Sequence, residues 1–375
     1  MTRNKKKLRA LTFYLPQFHP IPENDKWWGK GFTEWINTAK AKPLFKGHYQ
    51  PHLPADLGFY DLRCPEVREE QAKLAKDYGI YGFCYYHYWF NGRRILERPF
   101  NEVLSSGKPD FPFCLCWANE NWTKKWDGLE NNILLKQDYS EEDDIKHINY
   151  LCENVFNDKR YIKVNDKPLF LTYNIGKLPD AEKTFSTWRE EAKKYGLYLY
   201  LCRVESFPQE HNDPYQFGLD AAVEFQPDWG CLGKQLRNNC SWKILRKLGL
   251  SNQAYGKQII SEYSDLVENS MKKETAPYKR YPCVTPMWDN SPRTSENGVI
   301  LRNSTPDIFK KWLTHVLKKF RPFSKEENFI FINAWNEWAE GNHLEPDVKF
   351  GKAYLEAVRQ ALSTDSPSSC DLAGD

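Results

Sequence analysis

The chain contains no CxxC pair, and none of its apolar stretches approaches the roughly 18 residues needed to cross a bilayer. The first absence argues against a zinc knuckle, the second against a membrane span. It also lacks an excess of charge of one sign. Lys plus Arg number 53 and Asp plus Glu number 50, for a net charge of +3. The pI is about 8.2. So small an imbalance excludes a nucleic-acid binder held by bulk charge. No GxGxxG follows the first apolar run, where the sequence reads YLPQFHP, so a doubly wound dinucleotide fold loses its usual signature. No GxSxG nucleophile elbow occurs. The eight histidines are scattered, and His48 and His52 have Pro51 between them, which keeps them off a shared helix face. Neither a catalytic metal nor any other cofactor is expected. The basic N-terminus, MTRNKKKLRALTFYLPQ, meets Pro16 after a short apolar stretch and does not read as a secretory leader. The expected setting is soluble, reducing and cytoplasmic. Several of the ten cysteines (Cys84, Cys114, Cys116, Cys202) lie inside apolar runs, where a free thiol behaves as a small buried hydrophobe.

What the sequence has in abundance is aromatic surface. Phe, Tyr and Trp make up 15% of the residues, with 14 Trp among them. Most of these rings belong in a core. Trp and Tyr also form the flat platforms on which sugar rings and bases stack, so a carbohydrate site enters the list of functions to be tested.

Eight short apolar runs, rich in β-branched and aromatic residues, punctuate the chain: Ala10–Leu15, Ile80–Tyr86, Phe113–Trp117, Leu169–Tyr173, Leu197–Cys202, Ala221–Phe225, Tyr281–Met287 and Phe329–Ala334. Near-continuous apolar character is the pattern of strands covered on both faces, as in a parallel sheet. Amphipathic stretches lie between them at Pro65–Tyr78, Ser140–Phe156, Asp180–Tyr195, Asp307–Lys319 and Tyr354–Leu362. Ser140 stands as an N-cap before a run of acids. Eight strands alternating with helices predict a single (β/α)₈ TIM barrel of class α/β spanning 8–362. Long loops should follow strands 1 and 6, namely Pro20–Pro54 and an insertion at about 227–280. Residues 1–7 read as a basic tail, and 363–375 as a disordered one.

Barrel chemistry sits just past the C-terminal strand ends. Those positions carry Tyr14 after the first run, and His87 and Trp89 after the second. The third is followed by Trp117, Asn119, Asn121 and Trp122, and the sixth carries Glu224. Trp288 and Asp289 follow the seventh, and Trp335, Glu337, Trp338, Glu340 and Glu345 the eighth. Amides and carboxylates can meet sugar hydroxyls while Trp covers C–H faces, so these positions are read as a glycan site. The densest stretch is FINAWNEWAEGNHLEPD, Phe331–Asp347. On a helical turn, residues at i and i+3 share a face, so Glu337 and Glu340 can serve one small site. Cleaving a glycosidic bond needs two carboxyl groups, one protonated and one ionised, and closeness separates their pKa values. The bland alternative is a helix start decorated with acids.

Five longer stretches carry a family resemblance. TFYLPQFHPIPEND, HYQPHLPADLGFYDL, YYHYWFNGRR, WANENWTKKWDG and NAWNEWAEGNHLEPD resemble the WbsX-type family, whose members are labelled glycosyltransferases of lipopolysaccharide and capsule gene clusters. The resemblance covers roughly residues 8–361. That family is in turn similar to glycoside hydrolase family 99, the endo-α-1,2-mannosidases and mannanases, through E-W-x-E-G followed by Glu-Pro, here Glu337–Gly341 and Glu345-Pro346. The second resemblance implies a (β/α)₈ barrel and retaining hydrolysis of an α-linked glycan by endo action. It implies that Glu337 is the base on the sugar 2-hydroxyl, giving a 1,2-anhydro sugar. Glu340 is then the acid and later the base for water, and Glu345 a hydroxyl contact. The first-strand segment departs from the hydrolases' aromatic-rich version, so mannose specificity does not carry over. The partner implied is an oligo- or polysaccharide. Two alternatives stand beside hydrolysis: a glycosyltransferase of lipopolysaccharide or capsule biosynthesis, and a non-catalytic glycan-binding barrel.

Overall fold

The structure, a computed structural model, describes residues 8–124, 129–206, 211–236, 244, 247–249, 253–294 and 296–364. Nine parallel strands form its centre: β1 (Arg9–Tyr14), β2 (Ile80–Phe90), β3 (Phe113–Trp117), β4 (Lys167–Thr172), β5 (Tyr200–Glu205), β6 (Ala221–Glu224), β7 (Arg280–Tyr281), β8 (Cys283–Val284) and β9 (Phe329–Ile332). Their order is β7-β6-β5-β4-β3-β2-β1-β9-β8. Pro282 divides β7 from β8. A proline has no N–H to give to a ladder, so one stave of the barrel is split there. Its first half pairs with β6 and its second half with β9, which brings the two ends of the sheet together. The Cys283 amide reaches Glu224 Oε2 at 3.4 Å across the split, and the Phe331 amide bonds the Pro282 carbonyl at 2.8 Å. The nine strands thus make eight staves of a nearly closed barrel, and the TIM-barrel expectation holds.

Helices Pro65–Asp77, Glu141–Asn154, Ala181–Lys194, Pro306–Lys319 and Ala353–Thr364 occupy the expected stretches. Three start on side-chain caps from Ser140, Asp180 and Thr305. Among the described residues no helix is long and apolar enough to cross a membrane. The basic tail, and the C-terminal tail from residue 365 on, lie outside the described residues. The final helix runs two residues past the expected end of the barrel.

The barrel interior follows from strand alternation. Phe13 on β1 meets Phe225, just past β6, at 5.4 Å between ring centroids, and Tyr173, just past β4, meets the same ring at 5.4 Å. Tyr86 on β2 stacks on Phe13 at 5.7 Å and reaches Tyr173 at 6.3 Å. Most of these strands are not neighbours in the sheet, so the contacts run across the lumen. Cys84, Cys114, Cys116 and Cys202 are buried free thiols, as their apolar surroundings predict.

Candidate active site

Glu337 and Glu340 lie past the C-terminal end of β9. Asn336–Glu337 pairs antiparallel with Asn342–His343, and the short turn between them is the 3₁₀ segment Trp338–Glu340. Three residues per turn eclipse i and i+3, so this turn satisfies the expected spacing without an α-helix. Gly341 closes it at φ +53°. A Cβ there would stand 3.0 Å from the Asp289 Cβ and 3.1 Å from the Asp289 carbonyl oxygen, so both conformation and space require glycine.

One guanidinium joins the two carboxylates. Arg293 donates from Nη2 to Glu337 Oε2 at 3.0 Å, from Nη1 to Glu340 Oε1 at 2.5 Å, and from Nε to Glu34 Oε1 at 2.7 Å. Glu34 begins the helix Glu34–Lys40, inside the long loop after β1. That loop is a packed wall. Trp35 is buried, donates to the Tyr60 carbonyl at 2.7 Å and lies 5.4 Å from Trp338.

Arg293 is placed by the loop after the split stave. The Asp289 amide bonds the Glu340 carbonyl at 2.7 Å, and the Arg293 amide bonds the Asn290 carbonyl at 3.0 Å. The Asp289 carboxylate accepts from Gln50 Nε2 at 2.7 Å and pairs with His48 Nε2 at 2.6 Å. His48 Nδ1 accepts the Leu44 amide at 2.9 Å, which leaves Nε2 to carry the proton. Against its burial, these hydrogen bonds hold the Asp289 carboxyl below its ordinary range. Asp289 therefore fixes the two loops that supply Glu34 and Arg293.

The two glutamates differ in environment. Burial, the Glu340 charge and Glu34 push the Glu337 carboxyl up to about 8, with Arg293 pulling the other way. The Glu340 side chain is 22% exposed against 8% for Glu337. Tyr86 and Tyr88, on the lumen side of β2, complete the surroundings. Burial raises both phenols, and the nearby charge of Glu337 raises them further.

Several expected sugar contacts point the other way. Along a strand, successive side chains alternate faces, so Tyr86 and Tyr88 turn inward while His87 and Trp89 turn outward. His87 lies 3.0 Å from His147 on the helix Glu141–Asn154, and Trp89 Nε1 bonds Asp143 on the same helix at 3.0 Å. Burial pushes the His87 imidazole down to about 3, so it stays neutral against its histidine partner. Tyr14 donates to Gln71 on the helix Pro65–Asp77 at 2.7 Å, and Trp117 packs on Trp188 at 5.6 Å. Trp335 is wholly buried against Phe83. Asn119 is also fully buried and exchanges hydrogen bonds with the Asn174 backbone. These residues are packed against helices and strand ends and hold them in place.

Glu345 is packed in the same way. It is 2% exposed. Gln71 donates to its Oε1 at 2.6 Å, while Tyr60 and Trp338 donate to Oε2 at 2.9 and 2.6 Å. Burial still dominates and lifts its carboxyl to about 7. Trp338 itself is buried and stacks on His343 at 3.8 Å. Glu345 thus anchors, through Trp338, the turn that carries the pair. Glu224 spends its charge on Lys273 at 2.5 Å beside the split stave.

Fewer expected residues remain open to a ligand. Asn121 is exposed, although its Oδ1 accepts the Gln137 amide at 2.6 Å. Trp122 is half-buried beside Tyr88 at 5.3 Å and Trp27 at 5.8 Å. Trp288 is buried edge-on to the exposed Trp229 at 5.5 Å.

Trp117→Ala separates packing from sugar binding. As a core ring, its loss should cost about 3–5 kcal/mol of stability in denaturant unfolding. An unchanged unfolding midpoint with weakened glycan binding would return Trp117 to the binding surface.

A family profile described as Glycosyltransferase WbsX matches residues 10–358. An uncharacterized protein WxcX of Xanthomonas campestris pv. campestris is 41% identical over 370 residues, covering 96% of this chain and 51% of that protein. The chain spans about half the length of the curated relatives it matches. Among solved structures, the GH99 endo-alpha-mannosidase from Bacteroides thetaiotaomicron superposes with a TM-score of 0.57 at 15% identity, covering 95% of this chain and 97% of that one. A glycoside hydrolase-like protein gives 0.56 at 16% identity, covering 95% and 94%. At such identities these two likenesses speak for the barrel fold.

Proposed function

The chain belongs to the glycosyltransferase WbsX family, and from that premise and its carboxylate pair we propose a retaining, endo-acting glycoside hydrolase of an α-linked glycan. The observation that carries the reading is one guanidinium shared by two carboxyl groups on the same turn, one buried and one more exposed. Two carboxyl groups within reach of one bond are what glycoside hydrolysis requires.

In the proposed route, Glu337 takes the proton of the sugar 2-hydroxyl. The freed oxygen attacks the anomeric carbon, and the glycosidic bond breaks as Glu340 gives its proton to the leaving oxygen. Glu340, now ionised, takes a proton from water. The water oxygen opens the 1,2-anhydro ring at the anomeric carbon, and Glu337 returns its proton to O2. Two inversions give net retention, and the protein is regenerated.

Charge favours this over transfer from an activated donor. Three carboxylates, Glu34, Glu337 and Glu340, surround Arg293. A nucleotide or lipid pyrophosphate would bring like charge to that cluster and lose affinity. A neutral glycan would not.

The test is incubation of wild type and Glu340→Gln with α-linked oligosaccharides, nucleotide sugars and lipid-linked sugars, with products read by mass spectrometry. New reducing ends that vanish in the variant are expected. Donor-dependent lengthening of an acceptor, without hydrolysis, would establish a transferase. Binding without turnover would leave a glycan-binding barrel.

A further inference from the structure

His48 and His52 are neighbours in sequence, but the fold sends them to different partners. His48 turns to Asp289, while His52 turns to His343, 291 positions away, with 3.0 Å between His52 Nδ1 and His343 Nε2. Asp347 closes the group: its Oδ2 lies 3.9 Å from His343 Nε2. One ligand atom from each of His52, His343 and Asp347 falls within 4.8 Å of the other two, and all three residues are buried.

We propose that His52, His343 and Asp347 bind a divalent transition-metal ion of the zinc class. The ion would staple the loop carrying His52 to the hairpin that carries Glu337.

Three observations support the site. The first is an assigned lone pair. His343 Nδ1 lies 3.0 Å from the Glu345 carbonyl oxygen, so the ring proton goes there and Nε2 faces the cluster as an acceptor. A backbone carbonyl on the far nitrogen is the usual way a metal-binding imidazole is oriented. The second is an under-used carboxylate oxygen. Asp347 Oδ1 takes the Phe350 amide at 2.5 Å, but Oδ2 accepts no hydrogen bond although the residue is 2% exposed. The Tyr49 hydroxyl and the Lys349 ammonium lie near the same carboxylate. A metal ion would take this oxygen together with the facing His52 and His343 nitrogens, in place of the single hydrogen bond those two rings share. The third is space and access. A cavity of about 170 Å³, lined among others by His48, Tyr49, His52, Lys349 and Phe350, reaches the group on its His52 side and has room for a water ligand.

The donor set indicates the metal. Two imidazole nitrogens and one carboxylate oxygen suit zinc and its first-row neighbours; calcium and magnesium prefer all-oxygen sites. Tetrahedral zinc holds nitrogen and oxygen at about 2.0–2.2 Å, which sets neighbouring ligand atoms about 3.3 Å apart. The two observed separations, 3.0 and 3.9 Å, bracket that value. The consequence for the fold is direct. Val348 and Leu53 are already joined through an amide–carbonyl bond of 2.9 Å, and Asn342–His343 pairs with Asn336–Glu337. An ion here would lock both arrangements together behind the Glu337–Glu340 turn.

The experiment uses the full chain. Metal content is measured by mass spectrometry after purification without chelator, then the protein is stripped with dipicolinate and titrated with Zn²⁺ and Co²⁺. About one equivalent of zinc is expected for a single three-ligand site. Stripping should lower the melting temperature, Zn²⁺ should restore it, and Co²⁺ should give the visible bands of a four-coordinate N/O site. Loss of a second-shell partner alone weakens metal sites up to about 100-fold, so Asp347→Asn should weaken Zn²⁺ binding by at least that factor. If that variant does not fold, the cobalt spectrum of the wild type still decides. No cobalt bands, no heat on Zn²⁺ titration and an unchanged melting temperature would overturn the site and leave a His52–His343 hydrogen bond.

Discussion

Glu340→Gln is expected to cleave a glycan with an ordinary sugar leaving group about 10²–10⁴-fold more slowly than wild type, the usual worth of a positioned general acid. Much of that loss should return on an activated aryl glycoside. An aryl oxide of low pKa departs without a proton, so the missing acid matters less. Glutamine is close in shape and can still accept from Arg293, which now holds Glu340 at 2.5 Å. The melting temperature should therefore change little. Glu340 suits this position because its side chain is more exposed than that of Glu337, as a group must be that meets both leaving group and water. Steady-state rates on the two substrates give the answer. An equal loss on both would show that Glu340 is not the proton donor.

The sequence pattern reached the barrel more fully than it reached the site. The apolar run Phe113–Trp117 is β3 without correction. The fifth run, read as Leu197–Cys202, becomes Tyr200–Glu205, because Arg203 and Glu205 are buried as an ion pair at 3.0 Å and do not look like core residues. The seventh run is broken by Pro282, whose effect on pairing depends on which neighbours flank the strand. Within the site, Glu337 and Glu340 stood out because their relation is local. Arg293 and Glu34 did not, since their contact spans 259 positions and Arg293 sits in a polar loop that reads as solvent-facing. The orientation of the aromatic candidates was hidden for a different reason. Alternation along β2 makes His87 and Trp89 one set and Tyr86 and Tyr88 the other, and composition alone does not say which set faces the lumen. The two-residue phase of a strand was legible, but its sign depended on where the helices packed.

That long-range contact yields the second large effect. The route needs one carboxyl of the pair ionised and the other protonated, so kcat/KM should fall with pH through a limb lying near 8, well above the ordinary carboxylate range. The sign belongs to the pair: as its last proton leaves, no acid remains for the leaving oxygen. Arg293 is the lever on the limb's position. Its charge lowers the Glu337 carboxyl against burial, Glu340 and Glu34. Removing a neighbouring opposite charge typically moves a carboxyl by about 1–3 units, so Arg293→Met should carry the falling limb upward by that amount. The variant also strands three carboxylates in a buried place, at a cost of about 3–5 kcal/mol. Should it fail to fold, Arg293→Lys keeps the charge, loses the three-way fork and should shift the limb less. Glu337→Gln should abolish the limb and cost about 10²–10⁴-fold in rate. A substrate lacking the 2-hydroxyl should be as inert to the wild type as the normal one is to this variant, because both lack one half of the same proton transfer. Cleavage of that 2-deoxy substrate at the normal rate, with the limb in place, would show Glu337 acting as a base on water and not on the sugar.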